Sequence, residues 1–143
     1  MISKGFTFDA ELELKDSGAV TSSAAAQVGG VDRILDLGVG RVDGRTIINL
    51  TAFDATTGDE RSQVTMQFSA SSTFASGIVN GPSYGFGAFE VLGGSADPPI
   101  GQYELPWSNE VGGTIYRYCR IYTFGGGTSP SATFSAYAVR QAA

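Results

Sequence analysis

Gln63-Val64-Thr65-Met66-Gln67-Phe68-Ser69-Ala70 alternates without a break between polar and apolar residues. Val64, Met66, Phe68 and Ala70 fall on one side, and Gln63, Thr65, Gln67 and Ser69 on the other. That period of two belongs to a half-buried strand, not to a helix. It recurs in both directions along the chain. Phe6, Phe8, Ala10, Leu12 and Leu14 share one side of an opening strand, with Thr7, Asp9, Glu11, Glu13 and Lys15 opposite. Ile34, Leu35 and Leu37 form a short strand closed by Gly38. Ile48, Leu50 and Ala52 alternate with Ile47, Asn49, Thr51 and Phe53. The tyrosine-rich run Ile115 to Phe124 reads as a strand covered on both faces, and Ala132 to Arg140 sets Phe134, Ala136 and Ala138 on one side.

Breakers separate these runs. Asp43-Gly44, Gly58-Asp59, Asn80-Gly81-Pro82, Gly93-Gly94, Asp97-Pro98-Pro99, Gly112-Gly113 and Gly125-Gly126-Gly127 all carry turn chemistry. Thr21 to Gln27, the best helical candidate, has no apolar stripe and reads as an extended connection with at most one helical turn. The expectation is an all-β, single-domain antiparallel β-sandwich or jelly roll of about eight strands, with little or no helix. Uneven spacing between the strands argues against a propeller or solenoid.

Composition narrows the chemistry. With 143 residues, 42% hydrophobic and 16% charged, the chain suits one domain and is too apolar for disorder. It contains no histidine, so no Ser–His–Asp or Cys–His unit and no histidine-ligated metal can be built from it. A single cysteine, Cys119, excludes a disulfide framework and any CxxC motif. A formal charge of −5 makes a phosphate backbone or an acidic membrane a poor partner. No apolar run reaches the roughly 18 residues of a spanning helix, and Met1 to Phe6 lacks a signal-peptide core. The expected setting is a reducing cytoplasm, with no cofactor, no metal, no nucleic acid and no membrane.

Several local patterns carry competing readings. Asp54, Asp59 and Glu60 around Gly58 lack the ligand spacing of a calcium loop and read as a hairpin turn between the strands at Ile48 and Val64. Gly38-Val39-Gly40 with Gly44 lacks the rest of a nucleotide fingerprint and reads as a turn. Glu90, Asp97, Glu104 and Glu110 are available for a hydrolase, but nothing pairs them. Cys119 and Ile121 read as core residues, with Arg117 on their side of the strand and Arg120 beside Tyr118 and Tyr122. Tyr116, Tyr118 and Tyr122 form a packing ladder or a protein-facing surface. Trp107, in a proline-bearing loop, is either a plug over the core or a binding anchor.

Together these residues resemble a known family. Leu14-Lys-Asp16-Ser-Gly-Ala-Val20-Thr-Ser-Ser23, then Ile34-Leu-Asp36-Leu-Gly38, then Val64-Thr-Met-Gln-Phe68-Ser69, then Arg117 to Pro130 occur in order over most of the chain. In that order they are similar to the jelly-roll capsid cement (decoration) proteins of tailed double-stranded DNA bacteriophages. Cys119 replaces a usual aliphatic residue, and the Met1 to Phe8 extension and the Asp97 to Trp107 loop depart from the pattern.

The resemblance implies a jelly-roll domain over 12–143, with 1–11 as an arm or first strand exchanged with a neighbour. It implies a structural, non-enzymatic virion protein, made in the host cytoplasm and bound to the outer surface of the capsid. Its partners would be the major capsid protein and itself, as a homodimer or a trimer. Phe6 and Phe8 are then anchors for strand addition, or else face the chain's own core. The expected interface residues are Phe6, Phe8, Trp107, Tyr116, Tyr118 and Tyr122. The alternative is a carbohydrate- or receptor-binding sandwich of a phage tail or fibre, stacking sugars on Trp107 and the tyrosines.

Overall fold

The computed structural model describes residues 10–54, 60–87 and 100–140. After a 3-10 turn at Ala10–Leu12 come β1 (Glu13–Val20), the short β2 (Ala24–Ala25), β3 (Gln27–Val28), β4 (Val31–Asp32) and β5 (Leu35–Asp36), then the long β6 (Asp43–Asp54) and β7 (Arg61–Ser69). The second half holds β8 (Val79–Gly87), β9 (Gly101–Ser108), the short β10 (Glu110–Val111) and β11 (Thr114–Ile115), and finally β12 (Tyr118–Gly126) and β13 (Ser131–Arg140). One antiparallel sheet has the order β1-β13-β6-β9, and the other has β2-β12-β7-β8 with β5 also paired to β12. The two sheets form a β-sandwich. Among the long strands, only β7 and β8 are both consecutive and paired.

The core lies where the alternating apolar sides meet. Val64, Met66 and Phe68 of β7 and Cys119 and Ile121 of β12 face Ile48 and Leu50 of β6 and Phe134, Ala136 and Ala138 of β13. Thr123 is buried on the same side of β12. Bonds between the layers lock the packing. Thr46 Oγ1 donates to Met66 Sδ at 3.1 Å, and the Phe68 and Trp107 rings lie 5.8 Å apart. At one seam of the sandwich Tyr84 and Phe86 of β8 meet Tyr103 of β9 at 5.0 and 5.2 Å.

Several sequence expectations are corrected by this packing. β6 and β7 lie in different sheets, so the chain between them crosses the sandwich instead of closing a hairpin. A bulge places Thr51 as an extra residue between the pairs Leu50–Phe134 and Ala52–Thr133. The extra residue inverts the face that follows, so Phe53 packs on the core and Ala52 is exposed. The opening strand does not run through Ala10–Leu12, which form the 3-10 turn, though Leu12 and Leu14 both reach the core. The run from Ile115 to Phe124 is broken at Tyr116 and Arg117, between the β10–β11 hairpin and β12. Leu105 to Ser108 are strand, not loop. Pro106 fits because, among the described strands, β9 is an edge that pairs with β6 alone.

The edge strand β1 is irregular, with register shifts on both sides of Lys15. Lys15 Nζ turns inward and donates to Phe134 O at 2.8 Å, Gly18 O at 2.9 Å and Asp16 O at 3.0 Å. It also sits 4.5 Å from the centre of the Phe134 ring. All three ammonium protons have acceptors, which makes burying the charge tolerable. Bulges and an inward charge are how an edge avoids acquiring a further strand.

Candidate functional site

β12 turns Cys119, Ile121 and Thr123 into the core, so Tyr118, Arg120, Tyr122 and Phe124 emerge on the outer face of the sheet, half-buried. Their neighbours on β7 and β8 follow from register. Arg120 lies opposite Gln67, Tyr122 opposite Thr65 and Phe124 opposite Gln63, while Gln67 pairs with Asn80 and Thr65 with Ser83. Hydrogen bonds run across the three strands. Arg120 Nε donates to Gln67 Oε1 at 2.9 Å, and Gln67 Nε2 donates to Asn80 Oδ1 at 2.9 Å. Gln63 Nε2 donates to Ser83 Oγ at 2.8 Å.

The guanidinium is further clamped by rings. Arg120 lies 4.5 Å from the centre of Phe74 and 5.5 Å from that of Tyr122. Tyr122 and Phe124 are 4.8 Å apart and tilted. Phe74 is held for this purpose in the left-handed region, at φ 55°, a conformation costly for a bulky side chain. The turn that carries it is tied down by Ser69 Oγ donating to Ser76 O at 2.9 Å and by Phe74 N donating to Ser71 O at 3.2 Å. Burial pulls the Arg120 pKa below the ordinary arginine value, while Asp32 and Tyr122 oppose that shift. The result is a preformed aromatic face in which the Arg120 guanidinium is held among rings, neutral amides and hydroxyls. Thr65 Oγ1, buried in its midst, has no hydrogen-bond partner among the described residues.

At the start of β12, Arg117 does not share the face of Cys119. It precedes the strand and turns to Asp36, donating from Nε at 2.9 Å and Nη2 at 3.0 Å. These bonds, joined by one from Gly38 N, hold the Asp36 carboxyl down at about 2. Its folded value lies below the ordinary value, so the pair stabilises the fold above about pH 4 and the contribution is lost as pH falls through 2. Asp36→Asn is therefore expected to lower the melting temperature slightly at pH 5 and not at all below pH 2. A difference that persists unchanged to pH 1.5 in an acid melting series would count against the pairing. Because both groups are exposed, added salt should shrink the effect.

Of the expected interface residues that are described, Tyr118 and Tyr122 share this face. Tyr116 instead packs against the core, its main chain bonded to Asn109. Trp107 is not a surface anchor: it is 6% exposed, and its Nε1 donates to Thr46 Oγ1 at 2.9 Å. Phe6 and Phe8 lie outside the described residues. Sequence reasoning missed Phe74, Gln67 and Asn80. The polar side of Gln63 to Ser69 was a visible signal for Gln67, but nothing marked Phe74, which arrives from a turn.

Burial pushes the Cys119 thiol up to about 12, so it is no nucleophile at neutral pH. Glu104 pairs with Arg45 at 3.1 Å and Glu110 with Arg41 at 2.9 Å, whereas Glu90 and Asp97 lie outside the described residues. No group of three or more Cys, Asp or Glu side chains able to hold a metal occurs among the described residues. No described helix is long and apolar enough to cross a membrane. No protein-family model matches the chain, and no curated protein matches its sequence.

Proposed function

We propose that this protein is a non-catalytic capsid cement protein of a tailed double-stranded DNA bacteriophage, bound outside the mature head and clamping neighbouring capsomers. The strand order supports a jelly-roll reading. Counting β2 with the seven long strands, one sheet runs first-eighth-third-sixth and the other second-seventh-fourth-fifth. That order fits two Greek keys rolled into facing sheets, which supports the reading. The motif order that resembles the cement family points the same way.

The observation that carries the proposal is the row Tyr118, Arg120, Tyr122 and Phe124, with Arg120 braced by Gln67 and Phe74 and Tyr122 packed on Phe124. Tyrosine and arginine are enriched at the energetic centres of protein interfaces, and side chains already fixed lose little entropy on docking. A clip touching two capsomers makes its second contact at high effective concentration, so modest contacts hold firmly. Binding only the assembled shell stabilises that shell against internal DNA pressure by mass action.

Purified protein added to undecorated expanded heads is expected to bind stoichiometrically and raise the shell melting temperature. Arg120→Ala with Tyr122→Ala should weaken attachment by about tenfold or more while the domain stays folded. Absence of stoichiometric binding, or binding with no change in shell melting, refutes the role. Glycan binding by a protein that ignores heads would favour the carbohydrate reading, which has lost Trp107 as a stacking platform to the core.

A further inference from the structure

One end of the sandwich holds an apolar cavity of about 210 Å³ with walls from both sheets. Those walls come from separate parts of the chain: Leu12 of the 3-10 turn, Leu35 of β5, Leu37 and Val42 of the loop that follows, Trp107 of β9 and Ala138 of β13. The indole N–H is already donated to Thr46 Oγ1 at 2.9 Å, so none of these side chains offers a free polar atom. Hydrogen bonds around the cavity fix the walls. Arg33 Nε donates to Glu13 O at 2.8 Å and its Nη2 to Glu11 O at 2.6 Å, which holds the turn bearing Leu12. Leu37 N donates to Arg117 O at 2.7 Å, and Val42 N to Asn109 Oδ1 at 2.7 Å. An apolar space with fixed walls gains dispersion contacts from an apolar guest and loses little order in taking one.

Charge is confined to the rim. Asp36 and Arg140 border the cavity, and both are exposed. Arg117 donates to Asp36 at 2.9 and 3.0 Å, so the charge of that carboxylate is balanced. Arg140 has no ion partner among the described residues. The rim therefore carries one uncompensated positive charge beside an apolar interior. A guanidinium presents a planar fork of donors that fits a carboxylate. At about 30 Å³ for each water-sized group, the space admits about seven such groups.

We infer that this cavity binds an aliphatic carboxylate of about six to eight carbons, its chain among the apolar walls and its carboxylate on the Arg140 guanidinium. An acid with a shorter chain leaves the walls without contacts, and an amine of the same length meets a like charge at the rim. The site lies at one end of the sandwich, whereas the row Tyr118 to Phe124 lies on the outer face of one sheet. Ligand binding here is therefore independent of the capsid reading.

Trp107 is the chain's single tryptophan and lines the cavity, so its emission reports occupancy. Calorimetric titration of the full chain with hexanoate is expected to give a Kd of about 0.1–1 mM, with tryptophan emission shifting along the same curve. Hexylamine should bind about fivefold or more weakly, an effect that added salt reduces, and acetate should not bind measurably. Arg140→Glu, at an exposed position, should keep the melting temperature and abolish or reverse the preference for hexanoate, while Arg140→Lys retains it. No saturable binding of hexanoate up to about 10 mM overturns the inference. So do equal affinities for hexanoate and hexylamine, binding that leaves tryptophan emission unmoved, or a preference that Arg140→Glu does not change.

Discussion

Trp107→Ala is expected to be among the most destabilising single changes in this protein, costing about 3–5 kcal/mol. At about 3 °C per kcal/mol for a domain of this size, the melting temperature should fall by about 10–15 °C. The indole fills the space between the sheets against Phe68 and donates to Thr46 Oγ1, which itself donates to Met66 Sδ. Truncation opens a cavity and leaves the threonine oxygen without its donor. Gly44 marks how closely the ring is seated, since a Cβ there would lie 2.5 Å from the indole. Trp107→Phe keeps part of the packing and loses the N–H, so a smaller loss of about 1–2 kcal/mol is expected. Urea unfolding of the three proteins measures this order. A loss below about 1 kcal/mol for the alanine variant would contradict burial of the ring. Head attachment, compared at a temperature where every variant is folded, should not change.

Asn109→Ala is expected to cost about 2–4 kcal/mol, although it removes only a small polar side chain. Asn109 is fully buried. Its amide donates to Gly40 O at 3.0 Å and Tyr116 O at 2.8 Å and accepts from Val42 N at 2.7 Å. Truncation strands three main-chain groups where water reaches poorly. Asn109→Asp should be no milder, because a carboxylate can still accept from Val42 N but cannot donate to the two carbonyls. Equilibrium unfolding gives the magnitude, and amide exchange at Val42 gives the location. Fast exchange at Val42 with global stability nearly intact would mean that the loop opens locally, and the predicted global loss would then be wrong.

These two residues also show where sequence reading ran out. Tyr103, Leu105 and Trp107 alternate with Gln102, Glu104, Pro106 and Ser108, but the proline beside Trp107 reads as loop unless β9 is known to be an edge. Asn109 looks like any turn residue until its three partners, at positions 40, 42 and 116, are brought together. The bulge at Thr51 is silent in the same way. One extra residue in a strand has no signature of its own, yet it decides whether Phe53 or Ala52 faces the core. The outer face of β12 was half legible. Alternation separated Tyr118, Arg120 and Tyr122 from Cys119 and Ile121, but only register placed Gln67 beside the guanidinium and only the turn after β7 brought Phe74 to it.

What this sequence determined by itself was the all-β class, the inward sides of β7, β12 and β13, and the burial of Cys119. Each follows from side-chain alternation along a single strand, and alternation is local. Only the tertiary structure decided which strands share a sheet, that Trp107 belongs to the core and Tyr116 packs against it, and that Arg120 is braced across three strands. Those outcomes depend on pairing and packing between residues far apart in the chain, whose energies no single stretch of sequence contains.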